Sequence, residues 1–266
     1  MSQKWKSLED RMLYYRGLAD YRLLPKSYVV VMIDGRSFSK LIKNKYEKPF
    51  DATFINYMNK TAQYVCEQVS GCKMAYVQSD EISFILTDFE TPTTDGFFGY
   101  RLCKMQSLIA AMASGYFNRL VTIDMLKEGK TVEDIENQKL IEFDCRAWNV
   151  PSYNDAVAWL LFRQIDCVRN SKQQTAQTYL SHKQLMNKDT DEQIKLLLDT
   201  VGVDWNKFNR GEKYGRFIYR KEETYYNAER NATYIRRPFQ VFEAPNLMDE
   251  DERQKFLNSN IIPKRD

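Results

Sequence analysis

The chain has 266 residues, with 39 Lys and Arg against 36 Asp and Glu and a net charge of +3. Hydrophobic residues make up 43% and charged residues 28%, a balance that excludes a disordered or fibrous protein. A chain of this length predicts one large domain or two small ones around a well-buried core. Because the overall charge is nearly balanced, any affinity for nucleic acid must come from local patches.

The sequence contains neither a membrane-spanning run nor a secretory signal, which indicates where the protein is located. The longest apolar runs, residues 28–33 and 108–113, fall far below the roughly 18 residues that would span a bilayer. The first residues lead into a charged segment without the apolar stretch of a secretory signal. We therefore expect a cytoplasmic protein with no membrane partner.

Cysteine and histidine usage narrows the chemistry. The 5 cysteines include no C-x-x-C pair, so neither a disulfide framework nor a structural zinc site is indicated. His182 is the single histidine, which excludes any metal site with two histidines. Catalysis is left to carboxylates, Lys and Arg, and a metal that prefers oxygen ligands.

The first half of the chain predicts the order β-α-β-β-α-β. An apolar, β-branched run at 27–33 predicts a buried strand, and apolar residues at helical spacing predict a helix over 53–69. Two short strands follow at 74–77 and 82–87, joined by a polar turn. A helix over 97–120, capped by Thr93, Thr94 or Asp95, and a strand at 140–143 complete the unit.

The second half predicts longer helices and then strands. Ser152 and Asp155 match a capping box before a helix over 155–178, and a further helix is predicted over 191–201. Residues 211–239 predict a pair of strands. The fold class is therefore α+β, with a ferredoxin-like βαββαβ core, additional helices and a C-terminal β extension. We expect a catalytic core over 1–150 and a C-terminal part over 151–266, packed together as one unit.

Two aspartates are predicted to meet at one edge of the sheet. In the ferredoxin-like order, the first strand lies antiparallel to the strand after the hairpin, so Asp34 at one strand end faces Asp80 at the other strand's start. Two close carboxylates repel each other unless a cation intervenes, and a donor set without histidine favours Mg²⁺. Glu81 and the carbonyl of Gly35 are candidate additional ligands. The competing interpretation is that Asp-Gly and Ser-Asp-Glu are only polar turns.

Cations near these strand ends are candidates for binding phosphate. They are Arg36 after the first strand, Lys48 with Asp51 at the entrance of the first helix, and Arg101 with Lys104 on the second helix. Lys and Arg on helices are more often solvated surface. No Walker loop or G-x-G-x-x-G is present, so P-loop and Rossmann nucleotide binding are not indicated.

Arginines alternate with aromatic residues in 211–239. Such a surface can contact the RNA backbone and stack on exposed bases. An edge hairpin whose aromatics pack inward is an equally good interpretation. The candidate RNA-binding residues are Arg216, Arg220, Arg236 and Arg237.

Several stretches resemble the tRNA-His guanylyltransferase superfamily, and most of all its Thg1-like branch of 3′-to-5′ polymerases in bacteria and phages. They span roughly residues 25–220, and the joint occurrence of D-G-R-x-F and Q-S-D-E-x-S-F is the most specific part. The matching stretches are Met32-Ile33-Asp34-Gly35-Arg36-Ser37-Phe38, Lys48-Pro49-Phe50-Asp51, Gln78-Ser79-Asp80-Glu81-Ile82-Ser83-Phe84, Arg101-x-x-Lys104, Phe143-Asp144-x-Arg146 and Gly211-x-x-Tyr214-Gly215-x-Phe217.

The resemblance implies a polymerase-like palm that adds nucleotides to a tRNA 5′ end. ATP or GTP would activate a 5′-monophosphate, and the 3′-hydroxyl of an incoming nucleoside triphosphate would then attack. The implied site residues are Asp34 and Asp80 on two Mg²⁺ ions with Glu81 in support. Lys48, Asp51 and Ser79 would seat a nucleotide, while Arg101 and Lys104 would contact the activated 5′ end or the triphosphate. A homotetramer is implied as well.

One departure bears on specificity. Where eukaryotic members carry His-Ile-Asn-Asn-Leu-Tyr-Asn, this chain has Val-Arg-Asn-Ser-Lys-Gln-Gln at 168–174, and Asn170 alone is kept as a candidate nucleotide contact. Template-directed repair of tRNA 5′ ends is therefore favoured over guanylate addition to tRNA-His. A palm-fold nucleotide cyclase and a non-catalytic tRNA-binding module remain alternatives.

Overall fold

A computed structural model of the chain describes residues 5–38 and 46–265. Its centre is a six-stranded antiparallel sheet in the order β4-β1-β3-β2-β5-β8. The strands are β1 Tyr28–Gly35, β2 Cys72–Gln78, β3 Glu81–Leu86, β4 Phe143–Val150, β5 Arg216–Arg220 and β8 Phe239–Glu243. A separate two-stranded ribbon is formed by β6 Glu223–Asn227 and β7 Ala232–Arg236.

Helices cover both faces of the sheet, which therefore has two apolar clusters. Alternate residues of β1 such as Val29 and Val31 pack on one side, and Tyr28 and Val30 pack on the other. In chain order the helices are α1 Leu8–Gly17, α2 Ala52–Gln68, α3 Leu102–Lys127, α4 Val132–Glu136, α5 Tyr153–Tyr179, α6 His182–Leu185, α7 Thr190–Val201, α8 Arg210–Tyr214 and α9 Glu250–Leu257. Short 3₁₀ turns lie at Phe97–Tyr100 and Trp205–Lys207.

Helices α2 and α3 pack on the Val29 side, and α5 packs on the Val30 side. Each begins where a cap is available: Asp51 accepts a hydrogen bond from the Phe54 amide before α2, and Ser152 accepts one from the Asp155 amide before α5. Because α5 lies over β1 and β2, it delivers side chains to the same sheet face as Met32 and Asp34.

The predicted α+β class is confirmed, and so is the order β-α-β-β-α-β from β1 to β4, although the unpredicted helix α1 precedes this unit and the short helix α4 lies within it. Two details differ. The helix expected over 97–120 begins at Leu102, with Arg101 rather than Thr93, Thr94 or Asp95 at its N-cap position. Positive φ at Phe98 and Gly99 interrupts the helix before that point. The strand expected at 140–143 runs instead from Phe143 to Val150, where it pairs with all of β1.

The segment 211–239 is also more complex than a single strand pair. Its first strand, β5, joins β2, and β8 then pairs with β5, so the central sheet grows at that edge. The ribbon β6–β7 projects between them, with most of its side chains exposed. Because β5 and β8 extend the sheet that contains β1, residues from both parts of the chain build one sheet. The boundary between 150 and 151 stays a prediction.

Candidate active site

Three strand ends bring acidic side chains to one edge of the sheet. In the antiparallel registers, Asp34 lies opposite Glu81 of β3 and opposite Asp144 of β4. Asp80 occupies the two-residue turn between β2 and β3, and its carbonyl accepts a hydrogen bond of 3.1 Å from the Gly35 amide. The predicted convergence of Asp34 and Asp80 across neighbouring strands is therefore confirmed, and β4 adds Asp144 to the same edge.

Asp34 is partly buried among like charges. Burial, followed by the negative charges of Asp80, Glu81 and Asp144, raises the pKa of Asp34 to about 6. The Arg146 guanidinium acts in the opposite direction. Burial also raises the pKa of Asp80, although hydrogen bonds from its own amide and from Ser79 oppose that rise. The positive charge near Asp34 and Asp80 is therefore too small to offset burial and the repulsion between the carboxylates.

Arg163 of α5 supplies one counter-charge at this edge, and it pairs with Glu81. Its Nε donates to Glu81 Oε1 at 2.7 Å and its Nη2 donates to Glu81 Oε2 at 2.5 Å. Burial raises the pKa of Glu81, and the Arg163 hydrogen bonds oppose that rise. Both Glu81 oxygens are therefore occupied by a guanidinium, whereas the additional-ligand role predicted for Glu81 would require at least one of them to face a metal.

The edge fits a divalent cation through Asp34 and Asp80. Among residues 5–38 and 46–265, neither carboxylate has an ion-pair partner. The same ranges contain no group of three or more His, Cys, Asp or Glu side chains that could hold a metal by themselves. Mg²⁺ takes one or two protein carboxylates and completes its shell with water and phosphate oxygens, so two aspartates suffice.

Gly35 is required by packing beside the acids. A Cβ built at this position would lie 2.1 Å from a ring carbon of Phe38. Phe38 is itself buried against the rings of Phe54, Phe117 and Phe143. The glycine thus lets an aromatic core approach the end of β1 and fix the backbone next to Asp34. Its predicted role as a carbonyl ligand stays a prediction.

Asp34, Asp80 and Glu81 line a cavity of about 330 Å³ together with Ser79, Arg163 and Asn170. We call it the acid cavity. A narrow cavity of about 60 Å³ adjoins it and shares Gln78, Ser79 and Asn170 as lining residues. The other walls of the narrow cavity come from Pro49, Phe50, Asp51, Phe54, Ile55, Gln174 and Arg216, among others.

The residues predicted to contact a nucleotide differ in how they lie relative to the two cavities. Ser79 and Asn170 are exposed and line both cavities. Asp51 lines the narrow cavity, but its carboxylate accepts hydrogen bonds from the Phe54 and Glu47 amides at 2.7 and 2.9 Å, so it also shapes the start of α2. Lys48 is exposed and immediately precedes Pro49 of the cavity wall.

We call the end of the sheet that carries Asp34, Asp80 and Asp144 the acid edge. Arg101 and Lys104 do not lie there. Arg101 pairs with Asp20 at 2.7 Å and Lys104 lies over the Phe98 ring at 4.2 Å. On α3 it is Ser114 that reaches the acid edge, because its hydroxyl accepts a hydrogen bond from the Phe143 amide. Thirteen residues of helix, about 20 Å, separate Arg101 from Ser114. Arg36 does lie at the edge, where it forms an exposed ion pair with Glu142 at 2.8 Å.

Of the four predicted RNA-binding arginines, three are exposed and one is buried. Arg220, Arg236 and Arg237 are exposed at and beside the ribbon, where Arg236 lies 4.5 Å from the Tyr225 ring centroid. Arg216 is only 8% exposed, because β5 turns its side chain toward Asn59 and the Gly211 carbonyl at 2.9 and 3.0 Å. This corrects its assignment: Arg216 is a wall of the narrow cavity and not part of an exposed RNA-binding surface.

With this geometry established, comparison with known proteins gives a consistent result. The family model described as "Thg1: tRNAHis guanylyltransferase" matches residues 9–151, more than half of the chain. The chain belongs to this family. It is therefore a nucleotidyltransferase. Since the match includes β1, β3 and β4, it covers all the strands that carry the acid edge.

Individual relatives extend the similarity beyond residue 151. An uncharacterized protein of Acanthamoeba polyphaga mimivirus is 28% identical over 93% of this chain and 88% of its own length. The tRNA(His) guanylyltransferase 1 of Arabidopsis thaliana is 30% identical over 76% of this chain, which spans only 35% of the plant protein.

A solved bacterial tRNA(His) guanylyltransferase (Thg1)-like protein in complex with ATP matches with a TM-score of 0.78 and 29% identity. The alignment covers 93% of this chain and 96% of that one. A second structure of the same description, in complex with GTP, matches with a TM-score of 0.72 and 25% identity. The family resemblance expected from the motifs is thus confirmed.

Arg163 is the site residue that the sequence did not reveal. It lies 82 positions from Glu81, on a helix whose pattern signals only an apolar face. Asp144 and Arg146 were part of a recognised motif but received no role, because the strand was expected to end at Phe143. No helix among the described residues has the length and apolar character needed to cross a membrane.

Proposed function

We propose that this chain adds nucleotides in the 3′-to-5′ direction to the 5′ end of tRNA, in a template-dependent repair reaction. The 5′-monophosphate of the tRNA attacks the α-phosphate of ATP or GTP and releases pyrophosphate. The 3′-hydroxyl of an incoming nucleoside triphosphate then attacks the activated 5′-phosphate and displaces the nucleoside monophosphate. Membership of the tRNA(His) guanylyltransferase family supports nucleotidyl transfer to tRNA. The 3′-to-5′ direction and the repair role are parts of this proposal.

The observation that carries the proposal is the meeting of Asp34 and Asp80 at the acid edge without ion-pair partners among the described residues. Two Mg²⁺ ions held there would stabilise charge that develops on phosphate oxygens during in-line attack. The chain's own part is to hold these carboxylates rigidly, since Asp34 is fixed within three paired strands and Asp80 within a tight turn.

We assign the nucleotide to the two adjoining cavities. Their shared residues Ser79 and Asn170 would lie between a base or ribose on the narrow side and phosphates on the acid side. The solved Thg1-like structures in complex with ATP and with GTP support such binding by the fold. Lys48 is proposed to contact the nucleotide from its exposed position next to Pro49 in the wall of the narrow cavity.

We assign RNA contacts to Arg220, Arg236 and Arg237. Cations beside exposed aromatic rings suit an RNA backbone and its bases, and the ribbon supplies both. Along α3, Arg101 lies about 20 Å and Lys104 about 15 Å from Ser114 at the acid edge, so contact with the activated 5′ end would require the substrate to span these distances.

The test uses a tRNA that lacks its first 5′ nucleotide and carries a 5′-monophosphate, incubated with Mg²⁺, ATP and all nucleoside triphosphates. We expect restoration of the nucleotide that pairs with the opposite strand. Asp34→Ala and Asp80→Ala should each reduce addition by at least about 1,000-fold, as expected when electrostatic stabilisation of the transition state is lost, while tRNA binding is retained. Absence of extension with every nucleotide mixture would defeat the proposal.

Guanylate addition to tRNA-His is the second candidate, because it is the activity named for the matching family. Full-length tRNA-His with each of the four bases opposite the added position, and GTP as the only nucleotide, distinguishes the two activities. A single guanylate added irrespective of the opposite base would favour this candidate. Addition that follows the opposite base would favour repair.

A further inference from the structure

The Arg163 side chain is held on one edge by two carboxylates. Its Nε and Nη2 bind Glu81 side-on, and Nη2 also contacts Asp166 Oδ2 at 3.0 Å. The side chains of Arg163 and Glu81 are only 14% and 8% exposed. The rings of Trp159 and Phe162 lie 5.8 and 5.2 Å from the guanidinium carbon. The guanidinium is thus fixed in place before any ligand arrives.

This mode of pairing leaves the Nη1 group available. Within residues 5–38 and 46–265, Nη1 of Arg163 donates no hydrogen bond to the protein. Arg163 lines the acid cavity together with Asp34 and Asp80. An arginine offers five N–H donors in a rigid planar fork, so one occupied edge still leaves donors for phosphate oxygens.

The charges of the acid cavity favour such a donor. The lining carries Asp34, Asp80, Glu81 and Asp166 against Arg146 and Arg163. Among the side chains alone, a triphosphate that enters would meet more negative than positive charge, and Arg163 would add to the charge that bound cations supply. Arg146 is exposed and interacts with Asp144 at 3.5 Å, whereas Arg163 is held within the wall. Arg163 is therefore the better preorganised cation.

We propose that Arg163 binds the phosphate groups of a nucleoside triphosphate in the acid cavity, and that Glu81 is the residue that positions it. This inference rests on the proposed function, because it places the triphosphate at the acid edge. It gives Glu81 a different task from metal ligation: loss of Glu81 would weaken triphosphate binding by freeing the guanidinium.

A purely structural ion pair is the competing explanation. Buried arginine-carboxylate pairs occur without any role in ligand binding, and removing one partner leaves the other charge buried and destabilising. The two explanations differ in what happens to phosphate recognition when folding is preserved. Ligands with and without phosphates therefore provide the decisive comparison.

The experiment measures binding of ATP and of adenosine by isothermal titration calorimetry, with Mg²⁺ and without RNA. For Arg163→Ala we expect ATP to bind at least about 10-fold more weakly, as for loss of a charge-assisted hydrogen bond, with unchanged adenosine binding. Arg163→Lys should show an intermediate loss. The matched control is Arg169→Ala, since Arg169 pairs with the same Asp166 but is exposed and does not line the acid cavity.

A second variant separates misfolding from loss of the contact. Glu81→Gln combined with Arg163→Ala removes both buried charges, so its thermal unfolding should resemble that of the original protein. We expect ATP binding to stay weak in this double variant. Recovery of ATP affinity would overturn the inference, and so would unchanged ATP affinity in Arg163→Ala.

The outcomes distinguish this inference from the proposed function. If the unaltered protein binds ATP and Arg163→Ala binds it equally well, only the inference fails. If the unaltered protein binds ATP in an Arg163-dependent way but adds nothing to tRNA, only the proposed function fails. Failure of the unaltered protein to bind ATP would overturn both.

Discussion

At the scale of single residues, Asp34 shows how the fold maintains an unfavourable charge. Three strands fix its backbone, so the side chain cannot move away from Asp80, Glu81 and Asp144. The native pKa of about 6 lies above the ordinary value of 3.8. As pH rises from 4 past 6, the unfolded chain has already lost this proton while the native state still holds it, so folding is progressively destabilised.

Asp34→Asn removes this destabilisation. At pH 8 we expect the free energy of unfolding to rise by roughly 1 kcal/mol, a value reduced from that of a fully buried group because Asp34 is partly exposed. Near pH 4 the variant and the original protein should be equally stable. Urea denaturation at both pH values, followed by circular dichroism, measures the difference.

The same pair of proteins tests cation binding. Mg²⁺ binds the ionised carboxylate, so it should raise the melting temperature of the original protein at pH 8 and have little effect on Asp34→Asn. An equal rise in both proteins would place the cation elsewhere. A stabilisation by Asp34→Asn that persists at pH 4 would show that charge repulsion is not its cause.

At the scale of elements, the ribbon β6–β7 is built as an appendage. Within the described part of the chain its strands pair only with each other, and the Lys221 amide donates to the Pro238 carbonyl at 3.2 Å to close its base. Tyr225, Tyr226, Tyr234 and Ile235 are all exposed on it. The central sheet does not depend on these strands, because β5 pairs with β8 directly.

Replacing residues 223–236 by a short Gly-Asn-Gly linker should therefore leave the melting temperature within a few degrees of the original. ATP affinity should be unchanged, because no residue of this segment lines either cavity. We expect tRNA affinity to fall by at least about 10-fold, the loss expected when stacking of one or more bases is removed. Filter binding measures it, and unchanged affinity would remove the ribbon from the RNA-binding surface.

The sequence predicts those elements that neighbouring residues determine, and it does not predict those that depend on contacts between distant parts of the chain. The apolar run before Asp34 and the turn at Ser79-Asp80 are local, and the antiparallel order alone then places both acids at one edge. β4 was misplaced because its strand residues, Phe143 to Val150, include two charged side chains, and only pairing with β1 makes them a strand. Arg163 was missed because its partner is distant in sequence. The burial of Arg216 depended on the glycine-lined space beside Gly211, which only the folded chain shows.

At the scale of the whole molecule, α1 is an exposed helix in which large apolar side chains lie among charged ones. None of its residues is buried, and Leu8, Met12, Leu13, Tyr14 and Tyr15 are each more than 40% exposed. Adjacent exposed apolar side chains of this size mark an interaction surface more often than free surface. Soluble oligomers are mostly symmetric assemblies of identical chains. The homotetramer implied by the family resemblance would therefore cover the exposed apolar side chains of α1 with a second copy of the chain.

We therefore predict self-association through α1. In sedimentation velocity at micromolar concentration, the protein should have about four times the monomer mass of 31.5 kDa. Leu8→Glu combined with Leu13→Glu places charges in the patch, so this variant should sediment as a smaller species with unchanged circular dichroism. Leu140→Glu is the matched control, since Leu140 is 68% exposed but lies outside α1. A variant that keeps the original mass would exclude α1 from the interface, and a monomeric original protein would exclude the tetramer.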